Sequence, residues 1–195
     1  MPRTNIFVFT FGLTEGWVNN NDGSALPTCP GTIAGEYDDK KYRFHNYSFL
    51  EILADATSFI DYALKLNPGI KFLFTVSPVP LTATASGQHV LPATVYSKSV
   101  LRAVCGELYN RYPQVDYFPS YELVSAHPMR AMFYNPNLRG VSTKGVSHVM
   151  ESFFKSFVEE GDQEKPSTAN ETKEPIEKSE ADLVCDELIL QEFGE

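Results

Sequence analysis

Apolar residues along this chain fall into two alternating patterns. Residues 5–11, NIFVFTF, and 70–76, IKFLFTV, are nearly unbroken apolar runs, as expected of strands covered on both faces in a parallel sheet. VDYF, 115–118, is a shorter third run. Between them the period changes. From Ser48, whose spacing to Glu51 is that of a capping box, Phe49, Ile52, Leu53, Ala56, Phe59, Ile60, Ala63 and Leu64 mark one face of a helix, which Asn67-Pro68-Gly69 stops. Residues 94–112 repeat the pattern with Val100, Leu101, Val104 and Leu108, and 144–158 do so with Val146, Val149, Met150, Phe153, Phe154 and Phe157. Strands alternating with helices predict βαβ units and an α/β sandwich on a parallel sheet.

Two segments break the pattern. Residues 12–47 carry Gly, Pro and Asn at short intervals, with YDDKKY as a hairpin tip, and predict a long ordered excursion from the sheet. Residues 159–180 are Glu, Lys, Ser, Thr, Asn and Pro with almost no large apolar side chain, the composition of an acidic disordered linker. Beyond it, Cys185, Leu188, Ile189 and Phe193 fall at helical spacing, predicting a short amphipathic helix over 181–193 that docks on its own domain or in a partner's groove. The expected organisation is one α/β domain over 1–158, then linker, then helix. Three parallel strands are few for such a sheet, and the first begins too near the N-terminus to follow an earlier strand and helix; the chain reads as the later part of a larger domain.

Composition narrows the classes of function. With 195 residues the chain can bury one sizeable core, and its net charge of −9 disfavours nucleic acid and anionic membrane as partners. No apolar stretch approaches the roughly 20 residues of a membrane helix, and MPRTNIFVF lacks a signal-peptide pattern, so a soluble, cytoplasmic protein is expected. Cys29, Cys105 and Cys185 form no CxxC pair, which argues against a disulfide framework and against a metal site. No cofactor is implied.

In doubly wound sheets, ligands sit outside the carboxyl ends of the strands. Three loops qualify: Gly12-Leu13-Thr14-Glu15; Ser77-Pro78-Val79-Pro80 with Thr82 and Thr84; and Ser120-Tyr121-Glu122. Thr14 can donate a hydroxyl hydrogen bond to an oxyanion and Glu15 can orient it or bind a substrate hydroxyl; a plain polar turn is the competing reading. Ser77 is a candidate nucleophile with His89 as its base on the same strand-end loop, against ordinary turn chemistry for a Ser before Pro. His127 lies between the last strand and last helix, where it reaches the carboxyl edge as a candidate acid or base or stands exposed before Pro128. His148, on a polar helix face, reads as solvated, and His45, beside Phe44 and Tyr47, as packing.

GLTEGW at 12–17, TVSPVPLTAT at 75–84, YSKSVLRA at 96–103 and YFPSYEL at 117–123 resemble, in order, the motifs of the GSCFA domain family, a branch of the SGNH/GDSL-like hydrolases. VCDELILQEF resembles the short segment that closes some of its members. The resemblance implies a flavodoxin-like α/β/α sandwich and ester hydrolysis or acyl transfer, on carbohydrate-linked groups. It makes Thr14, Glu15, Ser77 and His127 the candidate catalytic residues, and Gly12, Trp17, Thr82, Thr84, His89, Tyr121 and Glu122 the candidate substrate contacts. Thr14 stands where other SGNH enzymes place the Asn of Gly-x-Asn-Asp.

The likeness is incomplete. The Gly-Ser-Cys-Phe-Ala motif, whose Ser would be the nucleophile, is absent, and Asn137-Leu138-Arg139-Gly140 occupies the position of Asp-x-x-His. Two readings follow. In one, an N-terminal half-domain encoded as a separate chain completes the sheet, supplies the serine and forms with Thr14, Glu15, Ser77 and His127 a composite site that acts on a small-molecule or glycan ester; self-association is the other partner expected. In the other, the chain is a non-catalytic remnant that binds a glycan or a partner.

Overall fold

The computed structural model describes residues 3–33 and 35–157, so the linker and terminal helix expected over 159–180 and 181–193 lie outside the described residues. The described residues divide into two compact units, one built from 3–16 and 44–157 and the other from 17–33 and 35–43.

The larger unit holds a parallel sheet of order β1-β5-β6, where β1 is Ile6–Phe11, β5 is Lys71–Val76 and β6 is Val115–Phe118. β1 runs beside β5 from Ile6 on Lys71 to Phe11 on Val76, and β5 beside β6 from Phe72 on Val115 to Thr75 on Phe118. The connections are α1, Phe49–Leu66, and α2, Val90–Arg111. Ser48 caps α1 with a capping box, its hydroxyl accepting from the Glu51 amide while Glu51 accepts from the Ser48 amide, and Asn67 closes the other end.

The core lies where α1 and α2 meet one sheet face: Leu53, Ile60 and Ala63 of α1 and Leu101, Val104, Cys105 and Leu108 of α2 bury against Ile70, Phe72, Phe74, Val76 and Val115. Each Val, Leu, Ile or Phe among them contributes about 1.5–3 kcal/mol by burial, which fixes the sheet's register and the position of its carboxyl edge. On the other face, α3, Ser120–Ser125, and α4, Thr143–Phe157, pack near β5 and β6, with Phe153 set edge-on against Phe118 at 5.3 Å. This makes an α/β/α arrangement with helices on both faces of a parallel sheet, the flavodoxin-like class. Between α4 and the floor formed by Val8, Thr10 and Leu73 a cavity of about 420 Å³ stays open, walled by Val146, Val149, Met150 and Phe153.

β1 departs from its expected burial. Its composition reads as an interior strand, yet among the described residues it is a sheet edge, and Ile6, Val8 and Phe9 stay 57, 55 and 46% exposed. The excursion contains structure the apolar pattern does not reveal: β2, Glu15–Asn19, β3, Ala25–Leu26, and β4, Tyr42–Asn46, form a small sheet of order β3-β2-β4. Within the smaller unit Trp17 pairs with Leu26 and Val18 with Ala25, antiparallel across a turn at Gly23, whose φ of 74° suits glycine. The turn expected in YDDKKY is present: the Asp38 carbonyl accepts from the amides of Lys41 and Tyr42.

Candidate functional site

The carboxyl edge of the sheet gathers Gly12–Glu15 after β1, the Ser77 turn after β5, and the start of α3 after β6. The first of these is the most firmly held. Thr14 is fully buried, and its amide donates to the Ser97 hydroxyl at 2.8 Å. Its own hydroxyl donates to Asn46 Oδ1 at 2.6 Å, and its carbonyl accepts from the Tyr47 amide at 2.8 Å. Lys98 Nζ donates to the Gly12 carbonyl at 2.7 Å. Two consecutive residues of α2 therefore pin the turn from below, while Asn46 and Tyr47 pin it from the side.

Lys98 is buried to 1% exposure and has no carboxylate within salt-bridge reach among the described residues. Burial lowers its pKa to about 8, because a desolvated ammonium with only a carbonyl to neutralise it releases its proton more easily. Asn46, Ser97 and Lys98 are absent from the candidate site residues expected from the sequence, although Ser97 and Lys98 lie within YSKSVLRA. A signal for Lys98 exists, since it continues the stripe of Leu101, Cys105 and Leu108 at helical spacing.

Glu15 and Thr84 meet. The Thr84 hydroxyl donates to Glu15 Oε1 at 2.6 Å, and the Ser86 hydroxyl lies 2.7 Å from the same Thr84 oxygen. Because Thr84 has a single proton, Ser86 donates its own to Thr84, giving a directed chain that ends on the carboxylate. Thr82 lies half-buried in the same segment. Above Gly12 there is room: a Cβ there would meet no atom within 4 Å.

The remaining candidates are engaged locally. Ser77 donates its amide to the Phe11 carbonyl and accepts the Val79 amide on its hydroxyl at 3.2 Å, an ordinary turn within Ser-Pro-Val-Pro. His89 caps α2, its Nδ1 accepting the Leu91 amide at 3.2 Å, which leaves the proton of the neutral ring on Nε2. No hydrogen bond joins Ser77 to His89. His127 is exposed and opens a short 3-10 turn over His127–Met129.

Glu122 is held by the Arg102 guanidinium and by the Tyr117 hydroxyl at 2.9 Å, with the guanidinium carbon 4.2 Å from the Tyr117 ring centre. Burial, then the Glu122 bond, pushes the Tyr117 phenol pKa up. Tyr121 packs half-buried against the core. Trp17 belongs to the smaller unit, set edge-on to Tyr37 at 5.5 Å. Asn137–Gly140 is a turn leading to α4, with Leu138 at a φ of 57° and the Arg139 amide donating to Asn137 Oδ1. His148, expected to be solvated, instead stacks on Phe133 at 4.6 Å with its Nε2 buried and unpaired.

Among the described residues no group of three His, Cys, Asp or Glu side chains is arranged to hold a metal, and no helix is long and apolar enough to cross a membrane. Gly12-Leu13-Thr14-Glu15 and the Ser77 turn follow β1 and β5 at the carboxyl end of the sheet, and Ser97 and Lys98 of α2 bond to the first of them. The GSCFA family model matches residues 1–153. The chain belongs to the GSCFA family. No curated protein and no solved structure matches this GSCFA chain.

Proposed function

We propose that this GSCFA chain carries one side of an SGNH-type ester hydrolase or acyltransferase site, acting on acyl groups linked to carbohydrate, and that it turns over no ester by itself. The reading rests on one observation above the others. The Gly12–Glu15 turn is held rigidly at the carboxyl end of β1, open above Gly12 and with the Glu15 carboxylate aligned by Thr84, while the side chains of Ser77 and His89 serve local backbone amides. A preorganised turn without a nucleophile and base suits substrate binding and orientation, the acyl-accepting serine coming from polypeptide outside this sequence. Thr14 remains the candidate oxyanion donor, and His127, exposed at the start of its 3-10 turn, a candidate proton carrier.

Assay of the full chain with p-nitrophenyl acetate tests this. The expected result is a rate equal to buffer; turnover abolished by Ser77→Ala would overturn it.

One observation favours a second reading, a glycan-binding module without chemistry. The Thr14 hydroxyl proton is already committed to Asn46, and its side chain is fully buried, so an oxyanion would have to displace that bond. Calorimetric titration with an O-acetylated xylo-oligosaccharide separates the two. Binding that persists when Thr14 is changed to Val, with no turnover after a GSCFA serine segment is supplied, supports the module.

A further inference from the structure

The β1–β5 ladder determines which peptide groups of β1 are free. The Lys71 amide donates to the Asn5 carbonyl at 3.0 Å and the Ser77 amide to the Phe11 carbonyl at 2.9 Å, so β1 turns its odd-numbered residues toward β5. On its far side β5 uses the opposite set, the Phe72 amide donating to the Gln114 carbonyl. Peptide groups alternate in direction along a strand, which leaves the N–H and C=O of Ile6, Val8 and Thr10 pointing out of the sheet.

We propose that a second copy of this chain closes that edge, its β1 pairing antiparallel with the first across a two-fold axis perpendicular to the sheet and centred on Val8. Such an axis keeps each face of the sheet on the same side and pairs residues of like parity. Val8 falls opposite Val8 of the second copy and Ile6 opposite Thr10, so all three outward residues exchange bonds, about six in total. Centring on Phe7 or Phe9 would leave some of these groups unpaired. In the same register Phe7 lies opposite Phe9 of the second copy in the closer, non-hydrogen-bonded position, adding an aromatic pair on the α1 and α2 face.

The side chains permit this association. β1 contains no charge and no proline, the devices that blunt an edge, whereas the opposite edge strand is four residues long and carries Asp116. Exposed Ile6 and Val8 on one face and Phe9 on the other lose water on pairing. Val8 and Thr10 also floor the cavity beside α4, so the second copy extends that apolar floor. Charge on the paired domains themselves does not oppose the approach, since residues 1–157 hold 13 Lys and Arg against 12 Asp and Glu; the excess acid lies in 158–195, 3 against 13, and its repulsion is screened by salt. A strand bearing the missing serine would compete for this edge, so the dimer is the state of the chain without it. The proposal does not depend on the ester reading.

Light scattering on the full chain between about 1 and 200 µM is expected to pass from one 21.8 kDa chain to twice that mass. Val8→Pro removes an outward N–H and no bond to β5, and Val8→Lys places a charge at the two-fold axis; each is expected to weaken association at least about tenfold. Leu66→Lys, at the exposed end of α1, should leave it unchanged. Should either Val8 variant misfold, hydrogen exchange on the natural chain decides: amides of Ile6, Val8 and Thr10 gain protection with concentration, while those of Phe7 and Phe9 are protected throughout. A single-chain mass at every concentration, a dimer unaffected by both Val8 variants, or outward amides that exchange freely in the dimer overturns it.

Discussion

Lys98 is where a single side chain most constrains the candidate site. Its ammonium holds the Gly12 carbonyl while buried away from any carboxylate, so the folded state carries a desolvated charge below pH 8. The ordinary lysine value is 10.5, and between the two the unfolded chain binds more protons than the folded one. Stability contributed by this group therefore rises with pH from about 8 to 10. Above pH 10 the raised pKa values of Tyr112, Tyr117 and Tyr121 act in the opposite direction. Comparing urea unfolding of the natural chain with Lys98→Met isolates the lysine: the ratio of their folding constants is expected to move in favour of the natural chain by about two orders of magnitude across that window. A constant ratio would mean the ammonium is solvated. Gly12→Ala, by contrast, should change stability by less than about 0.5 kcal/mol, since nothing crowds the position and its φ does not demand glycine. Thr14, Glu15 and Thr84 were legible from their place at strand ends. Lys98 was not, because a charge within a helix reads as solvated unless its place in the apolar stripe is weighed, and Asn46 was not, because its partner lies 32 residues away in sequence.

At the scale of elements, legibility followed the length and regularity of each segment. α1 is announced by Ser48 and Glu51 and forms with the expected cap, and β6 spans the expected four residues. α2 begins earlier than its apolar residues suggest, because His89 supplies the cap and Val90–Leu91 precede the stripe. The small sheet of β2, β3 and β4 has strands of five, two and five residues, too short for alternation to emerge, and the six residues of α3 make fewer than two helical turns. Periodicity reports the burial a strand is built for, not the neighbours it has, so the edge position of β1 was invisible to it. The cap of α1 is testable: Ser48→Ala should cost about 1 kcal/mol in urea unfolding at neutral pH. Glu51 adds a pH signature. Its carboxyl is lowered to about 2, first by the Ser48 amide, then by the Ser48 side chain and His45, so its share of the cap is complete above the ordinary 4.5 and lost as pH falls toward 2. In Ser48→Ala that acid-side loss should shrink by the share of the Ser48 side chain alone, because the backbone amide stays; an unchanged acid midpoint would assign the lowered pKa to that amide and to His45, 2.9 Å from Glu51.

For the whole molecule the decisive feature is where the charge lies. A net charge of −9 describes the chain but not the described domain, which is close to neutral through Phe157, all of the excess acid belonging to the residues after it. A near-neutral domain with an uncharged open strand edge and an apolar cavity beside it has little to keep its copies apart beyond the first pairing. The acidic segment supplies that repulsion, acting over about a Debye length. A chain ending at Phe157 should therefore scatter light and precipitate near neutral pH at concentrations where the full chain stays clear, and added salt should bring the full chain toward the same behaviour by screening. Val8→Lys in the shortened chain should restore solubility, because it returns charge to the edge where association begins. If the shortened chain stayed a monodisperse single chain near its isoelectric point, the exposed β1 side chains would have to be covered in solution by something within the domain, and both the open edge and the dimer across it would fail together.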